Sequence, residues 1–185
     1  MPPEKRDEAL MLHYRDGDVR AFEALYERHK GPLFRYFLRQ NIQRAVAEEL
    51  FQEVWTNLIK SRHRYQVRAK FTTLLYRIAH NRLIDYRRSS SANPLHDGNP
   101  GDSSIEPASH QPGPEERLQN ERLGVRLRSV IAALPAEQRD AFLLKEEGGL
   151  RLEQIAEVTG AGAETVKSRL RYAVAKLRGA MSDDP

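Results

Sequence analysis

Hydrophobic residues recur at intervals of three and four along most of the chain, which is the period of an α-helix. Residues 18–29 show this pattern, and Gly31-Pro32 interrupts it, so a break between two helices is predicted there. Residues 45–60 and 71–88 repeat the same period. No segment of useful length alternates with a period of two, so no strand is predicted.

The C-terminal part repeats the helical period between residues 117 and 181. Proline at 135 separates two helical patterns, and glycines at 148 and 149 end the second one. Two shorter helical patterns follow. The sequence therefore predicts an all-α protein of two small helical domains, residues 1–88 and 117–181.

Residues 89–116 separate these two domains. The segment holds five prolines, three glycines and six serines, but no aromatic residue, lysine or arginine. It buries too little apolar surface to offset the entropy of ordering, so it is predicted to be a flexible linker. Its acidic residues are Asp97, Asp102, Glu106, Glu115 and Glu116. They favour either a solvated tether or an anionic strand that mimics nucleic acid in a basic channel.

Residues 152–170 have the spacing of a helix-turn-helix. Ala156 supplies a small side chain where two helices would cross, and Gly160 follows where the turn needs a positive φ. Val166 and Leu170 would bury the second helix. An ordinary helical hairpin is the alternative, but the basic outer face favours DNA binding. The side chains predicted to face DNA are Glu164, Thr165, Lys167, Ser168, Arg169, Arg171 and Tyr172.

The segment from residue 60 to residue 88 is basic, with nine lysines or arginines and one acid. Aromatic residues lie between the cations, a pattern typical of nucleic-acid binding, because cations hold phosphates and rings stack on bases. Phe71, Leu74, Leu75 and Ile78 have the spacing of core residues instead. The side chains predicted to contact nucleic acid are Arg62, His63, Arg64, Tyr65, Arg68, Arg77, His80, Asn81, Arg87 and Arg88. The alternative is a set of core rings and solvated charges.

The helix predicted over residues 45–60 has an acidic side that DNA would repel. A basic protein surface would bind such a side, and a solvated helix face is the alternative. The residues predicted to contact that partner are Glu48, Glu49, Gln52, Glu53 and Trp55.

Composition narrows the function further. The 185 residues have a formal net charge of +4 and no cysteine, which excludes disulfide scaffolds and thiolate metal sites. His63 and His80 have no third ligand at a suitable spacing, so neither a metal nor a cofactor is predicted. No phosphate-binding glycine loop or nucleophile–base pair indicates an enzyme. Without an apolar signal segment or membrane span, the chain is expected to be soluble and cytoplasmic.

The order of these parts resembles the bacterial extracytoplasmic-function (ECF, group 4) sigma factors of RNA polymerase. The resemblance is carried by AEELFQEVW, by FTTLLYRIAHNRLIDYRR, and by LPAEQRDAFLLKEEGG followed by a helix-turn-helix with ETVKSRL. It covers nearly the whole chain outside the linker and the termini. It departs from the family at Leu74, where tryptophan is frequent, and at Val174, where a basic residue is frequent. Glu49 stands where aspartate is common.

The resemblance implies a transcription initiation factor that binds core RNA polymerase and directs it to promoters. The acidic helix would dock on the clamp of the largest subunit, and the second-largest subunit is a further expected partner. The basic segment would read the minus-ten element and promote melting, with one base flipped into a loop pocket and Asn81 as an expected contact. The helix-turn-helix would read the minus-thirty-five element through Arg169 and Arg171. The linker would thread through the polymerase cleft, and an anti-sigma factor is an expected partner.

Three other functions remain open on the residues alone. They are a self-sufficient DNA-binding regulator, a helical enzyme acting on nucleic acid, and a polymerase-binding antagonist. Tight binding to duplex DNA without polymerase favours the first, and metal- or nucleotide-dependent activity favours the second. The helix-turn-helix counts against the third.

Overall fold

The computed structural model describes residues 6–92 and 114–182. Within these ranges all regular structure is helical, which confirms the predicted all-α class. The helices are α1 (Asp7–Arg15), α2 (Val19–Leu38), α3 (Arg44–Ser61), α4 (Phe71–Ala92), α5 (Pro114–Ala132), α6 (Ala136–Glu146), α7 (Leu152–Thr159) and α8 (Ala163–Ser182). A short 3₁₀ turn, Arg62–Arg64, follows α3. We call α1–α4 the N-terminal module and α5–α8 the C-terminal module.

Helix α2 runs without a break through Gly31 and Pro32, which corrects the interruption predicted there. Proline lacks an N–H group and removes one hydrogen bond from the helix. The residues on both sides of it belong to one buried stripe, in which Leu25, Leu33 and Phe37 are fully buried. Packing of this continuous stripe outweighs the lost hydrogen bond.

Helices α3 and α4 complete the core of the N-terminal module. Val54 and Leu58 are buried on α3, and Phe71, Leu75 and Leu83 are buried on α4. These positions are four or eight residues apart along each helix, so each helix keeps one polar face outside. The helical period in the sequence therefore identified the buried faces.

The ends of the predicted linker differ from the expectation. Helix α4 continues to Ala92 and α5 starts at Pro114, so both ends of residues 89–116 are helical. The hydroxyls of Ser89 and Ser91 each donate to a main-chain carbonyl one turn back, at 2.8 Å. These bonds satisfy carbonyls near the helix end. The remainder, residues 93–113, lies outside the described residues, as do its predicted roles as tether or nucleic-acid mimic.

Helices α7 and α8 form the helix-turn-helix. Gly160 ends α7 with a φ of 68°, as predicted for the turn. Ile155 and Val166 are fully buried, while Leu170 and Ala156 pack partly buried against the same core. The small alanine and the left-handed glycine thus set the angle between the two helices.

The two modules also pack on each other. Helix α4 lies against α7, and side chains of α2 bond to Asp140 within α6 and to Glu147 at its C-terminal end. This packing therefore decides which of the predicted DNA-facing side chains are exposed.

Candidate nucleic-acid and protein-binding surfaces

Helix α3 presents an acidic face to solvent. Its exposed side chains are Glu48, Glu49, Gln52 and Glu53. The last three line a groove of about 380 Å³, whose lining also includes Lys60 and Arg82. Glu48 is engaged by Arg44 one turn before it, at 3.0 Å. The other carboxylates remain available to a cationic partner, which is what a protein-docking face needs.

Trp55 does not belong to this face. Its side chain is 5% exposed and contacts the rings of Tyr26 and Phe22 at centroid distances of 4.9 and 5.8 Å. The predicted contact between Trp55 and a protein partner is therefore corrected. The ring packs α3 against α2 and so holds the acidic face of α3 toward solvent.

A pocket of about 360 Å³ lies where the loop of residues 65–70 meets α4. Its lining combines the apolar Leu74 with the polar Gln66, Arg68 and Arg77. An extruded nucleobase has apolar faces and polar edges, so this mixture suits it. Arg68 is positioned by Gln66, whose side-chain oxygen accepts from two of its nitrogens at 2.8 and 3.1 Å.

Tyr65 packs inward beside this pocket. It is 7% exposed and forms part of the pocket lining, so its contact with nucleic acid stays a prediction. Burial, with the nearby charges of Glu8 and Asp7, raises the pKa of Tyr65. The Glu8 carboxylate also accepts from the Phe71 N–H at 2.8 Å and so caps the start of α4.

The other side chains predicted to contact nucleic acid divide into exposed and engaged groups. The exposed group is His63, Arg64, Arg68, Asn81 and Arg88. Arg62 lies over the Tyr14 ring at 5.6 Å, and Arg87 donates to the Gln40 side chain at 2.8 Å. Arg77 and His80 point toward the C-terminal module.

Asp140 of α6 is the centre of the contact between the modules. It accepts from the Tyr36 hydroxyl at 2.6 Å and from the Gln40 amide at 3.1 Å, and it pairs with His80 Nδ1 at 2.8 Å. Burial alone would raise the pKa of Asp140. The hydrogen bond and charge of His80, followed by the bond from Tyr36, outweigh burial and lower that pKa.

Glu147 forms a second contact between the modules. Its carboxylate pairs with Arg35 at 2.9 Å and also with Arg39, while its main-chain carbonyl accepts from the Tyr76 hydroxyl at 3.1 Å. Burial, followed by the charge of Glu147, raises the pKa of Tyr76. Burial also raises the pKa of Tyr36, with a further contribution from the Asp140 charge.

Arg139 completes this network from the C-terminal side. It donates to the main-chain carbonyls of Gln40 at 3.1 Å and Leu134 at 3.0 Å. Burial, followed by the charge of Arg87, lowers the pKa of Arg139 to about 10.

Helix α7 contacts α4 through two polar pairs. Gln154 donates to the Thr73 hydroxyl at 2.8 Å, and Glu157 pairs with Arg77 at 3.4 Å. Glu157 also lines the pocket beside the loop of residues 65–70. The sequence analysis assigned Arg77 to nucleic acid and gave no role to Thr73, Gln154, Glu157 or Asp140. The only signal was an Arg-Asp pair directly before the apolar run of residues 141–144 in α6.

Helix α8 keeps most of its predicted DNA face exposed. The exposed side chains are Glu164, Thr165, Lys167, Arg171 and Tyr172, while Ser168 and Arg169 are half-buried. Arg171 lies 5.2 Å from the centre of the Tyr172 ring. Arg169 pairs with Glu137 of α6 at 2.6 Å, so its guanidinium is held in place on this face.

Metal-binding and membrane features were sought in the same ranges. Across residues 6–92 and 114–182, no three His, Asp or Glu side chains are grouped to hold a metal ion. No helix in those ranges is long and apolar enough to span a membrane.

Two family models match the chain. The model of sigma-70 region 2 matches residues 25–92, and the model of sigma-70 region 4 matches residues 124–177. These spans coincide with most of the N-terminal module and of the C-terminal module.

Curated relatives match over nearly the whole chain. The ECF RNA polymerase sigma factor RpoE of Cereibacter sphaeroides is 30% identical over 176 residues, which cover 94% of both chains. The ECF RNA polymerase sigma factor SigK of Mycobacterium sp. strain KMS is 27% identical, covering 94% of this chain and 90% of its own. SigE of Mycolicibacterium smegmatis is 30% identical over 85% of this chain, which spans 60% of that relative's length.

Two solved structures share the fold. CnrH in complex with the cytosolic domain of CnrY has a TM-score of 0.67 and 21% identity, covering 97% of this chain and 99% of its own. The sigma factor RpoE of Bartonella quintana, in complex with the anti-sigma factor NepR, has a TM-score of 0.69 and 20% identity. It covers 89% of this chain and 98% of its own.

Proposed function

Because the chain belongs to the ECF sigma factors of the sigma-70 family, we propose that it is a group 4 factor that brings core RNA polymerase to promoters. One observation carries the proposal. An exposed acidic face on α3 lies in the same module as a basic, pocketed surface at the start of α4. A protein that binds polymerase and melted DNA together needs both surfaces side by side.

The acidic face of α3 is proposed to dock on the clamp of the largest polymerase subunit. Glu49, Gln52 and Glu53 line its groove and are the proposed contacts. Exposed carboxylates suit this role because complementary charges speed association and set orientation. The second-largest subunit is a further proposed partner.

The loop of residues 65–70 and the exposed side of α4 are proposed to read the minus-ten element. The 360 Å³ pocket would receive one base of the unpaired strand, and Asn81 would contact that strand. Arg64, Arg68 and Arg88 are exposed and would hold phosphates. Capturing the base offsets the few kcal/mol needed to unpair and unstack it.

Helix α8 is proposed to enter the major groove at the minus-thirty-five element. Arg171 is exposed and Arg169 is held by Glu137, and both suit bidentate contacts to guanine. Neither module needs to bind DNA tightly alone, because attachment to polymerase raises the effective concentration of each at its element. No catalytic step is proposed.

Two further features of the factor follow from its relatives. The structurally similar Bartonella quintana factor is bound to an anti-sigma factor, so we include an anti-sigma factor among the partners. We place the protein in the cytoplasm because bacterial polymerase and promoter DNA are there.

Run-off transcription from a randomised promoter library tests the proposal. Reactions contain bacterial core polymerase with and without the protein. We expect new start sites only with the protein, and we expect them to disappear with the double variant Glu49→Lys/Glu53→Lys. Glu23→Lys/Glu27→Lys makes the same double change at exposed positions of α2 and should leave the start sites in place.

Two results would contradict the proposal. Binding to polymerase without new start sites would indicate an antagonist. Absence of polymerase binding, together with tight binding to duplex DNA, would indicate a self-sufficient regulator.

A further inference from the structure

A pocket of about 310 Å³ lies where the loop of residues 40–43 meets the last turns of α4 and the first turn of α6. It shares no lining residue with the groove on α3 or with the pocket beside the loop of residues 65–70. None of the described residues that line it is acidic. Those that offer charge or hydrogen-bond donors include Gln43, Arg87, Ser90, Ser91 and Arg139. The lining is therefore suited to a negatively charged ligand.

One buried glutamine holds both arginines of this pocket. Arg87 donates to the side-chain oxygen of Gln40 at 2.8 Å, and Arg139 donates to the main-chain carbonyl of Gln40 at 3.1 Å. Gln40 itself is 1% exposed. The two guanidinium groups are thus positioned before any ligand binds, which lowers the entropy cost of binding.

Both guanidinium groups keep unused donors. Arg139 is 6% exposed, and its terminal nitrogens bond to the main-chain carbonyls of Gln40 and Leu134. Its buried Nε has no hydrogen-bond partner among the described residues. The bond from Arg87 to Gln40 uses one nitrogen of that guanidinium. A buried donor without a partner is unfavourable, so an acceptor at this place would stabilise the site.

The positive charge of the two arginines is only partly balanced. The carboxylate of Asp140 acts on Arg139, but it is already bonded to three side chains of the N-terminal module. Burial, followed by the charge of Arg87, lowers the pKa of Arg139 to about 10. An anion bound between the two guanidinium groups would offset their repulsion.

Two helices begin at the pocket without a side-chain cap. Gln43 is the N-cap residue of α3, and Ala136 is the first residue of α6. The free N–H groups of a first helical turn, together with the helix dipole, favour a bound anion. The first turn of α3 contains no acidic residue, whereas that of α6 contains Glu137, so α3 should contribute more.

We propose that this pocket binds a small phosphate compound. Its donors belong to different helices and approach from several directions, which suits the tetrahedral oxygens of a phosphate better than a planar carboxylate. A phosphate of a nucleic-acid strand has the same chemistry, so binding experiments must separate the two sources. The site is a property of the free protein and does not depend on the proposed function.

Isothermal titration calorimetry of the free protein tests the site, with inorganic phosphate and pyrophosphate as the probes. We expect pyrophosphate to bind at a single site per chain and to raise the melting temperature, because it binds the folded state alone. Sodium chloride at matched ionic strength should do neither.

Ser90→Glu and Ser89→Glu form a matched pair of variants. Ser90 lines the pocket, so Ser90→Glu places a carboxylate beside the anion and should weaken pyrophosphate binding by about tenfold or more. Ser89 is exposed and does not line the pocket, so the same change one residue away should have a much smaller effect. Arg87→Gln removes one guanidinium and should also weaken binding by about tenfold. Circular dichroism checks that each variant is folded.

Two results would overturn the proposal. Equal affinities of Ser90→Glu and Ser89→Glu for pyrophosphate would place the bound anion elsewhere on the protein. The other result is that neither probe binds to the unchanged protein. If a single-stranded oligonucleotide then binds, and Ser90→Glu weakens it while Ser89→Glu does not, the pocket and Arg87 belong to nucleic acid.

Discussion

Helices α4 and α8 are both proposed to read promoter DNA, but they stand in different surroundings. On α8, Arg171 and Tyr172 are exposed. On α4, His80 is bonded to Asp140, a residue 60 positions away in the chain. The residue types are alike on the two helices, so residues close together in the sequence decide the chemistry of a DNA-reading surface. Whether that surface is exposed depends on residues far away in the sequence.

Exposure and burial also separate two residues that lie two positions apart on α3. Glu53 is exposed, whereas Trp55 is buried among rings of α2. Trp55→Ala should lower the free energy of unfolding by about 3–5 kcal/mol, because it leaves a cavity in the core. Glu53→Ala should change it by less than about 0.5 kcal/mol. Urea denaturation of both variants measures the two changes in the free energy of unfolding. A small decrease for Trp55→Ala would show that this side chain does not belong to the core.

Alkaline pH should destabilise the contact between the two modules. The folded-state pKa values of Tyr36 and Tyr76 are raised, so their stabilising contribution is complete below the unfolded value near 10 and is lost as pH rises above it. Each tyrosine lowers the unfolding free energy by about 1.4 kcal/mol per pH unit above pH 10.

The test compares urea denaturation between pH 9.5 and pH 11.5. Tyr76→Phe should reduce the downward slope of stability with pH by about 1.4 kcal/mol per unit. Phe37→Leu, a core change without a titratable group, should lower stability by the same amount at every pH. An unchanged slope in Tyr76→Phe would show that this phenol titrates alike in the folded and unfolded states.

A smaller effect is expected on α8 alone. Arg171→Ala should weaken promoter binding by the polymerase complex by about 1–3 kcal/mol, since a bidentate contact to one base pair is lost. Arg178→Ala removes an exposed arginine further along the same helix and should have little effect. Filter binding with the selected promoter and with a promoter mutated in the minus-thirty-five element shows whether Arg171 contacts a base or a phosphate. Equal losses on both promoters would show that Arg171 contacts phosphate rather than a base.

The sequence predicted the local structure well. Helical periodicity identified the buried faces of α3 and α4, and Gly160 with Val166 identified the helix-turn-helix. Each of these features depends on residues that lie within about two helical turns of each other. The break predicted at Gly31 and Pro32 was wrong, because core packing overrides local helix propensity.

Long-range features were not predictable in the same way. Trp55 and Tyr65 flank basic or acidic segments, and periodicity alone does not tell which flanking ring turns inward. Asp140 and Glu147 were given no role, since their partners lie on helices more than 50 residues away. A buried acid can be recognised only when the surface that covers it is known.

Permanganate reactivity of thymines in the minus-ten element tests the central claim most directly, using the promoter selected in the run-off experiment. The account predicts reactive thymines only when core polymerase and this protein are both present. Asn81→Ala should reduce that reactivity, whereas Glu23→Ala should not. Two results would contradict the claim that α4 captures the melted strand. One is start sites that require this protein but show no reactive thymines, and the other is thymine reactivity that Asn81→Ala leaves unchanged.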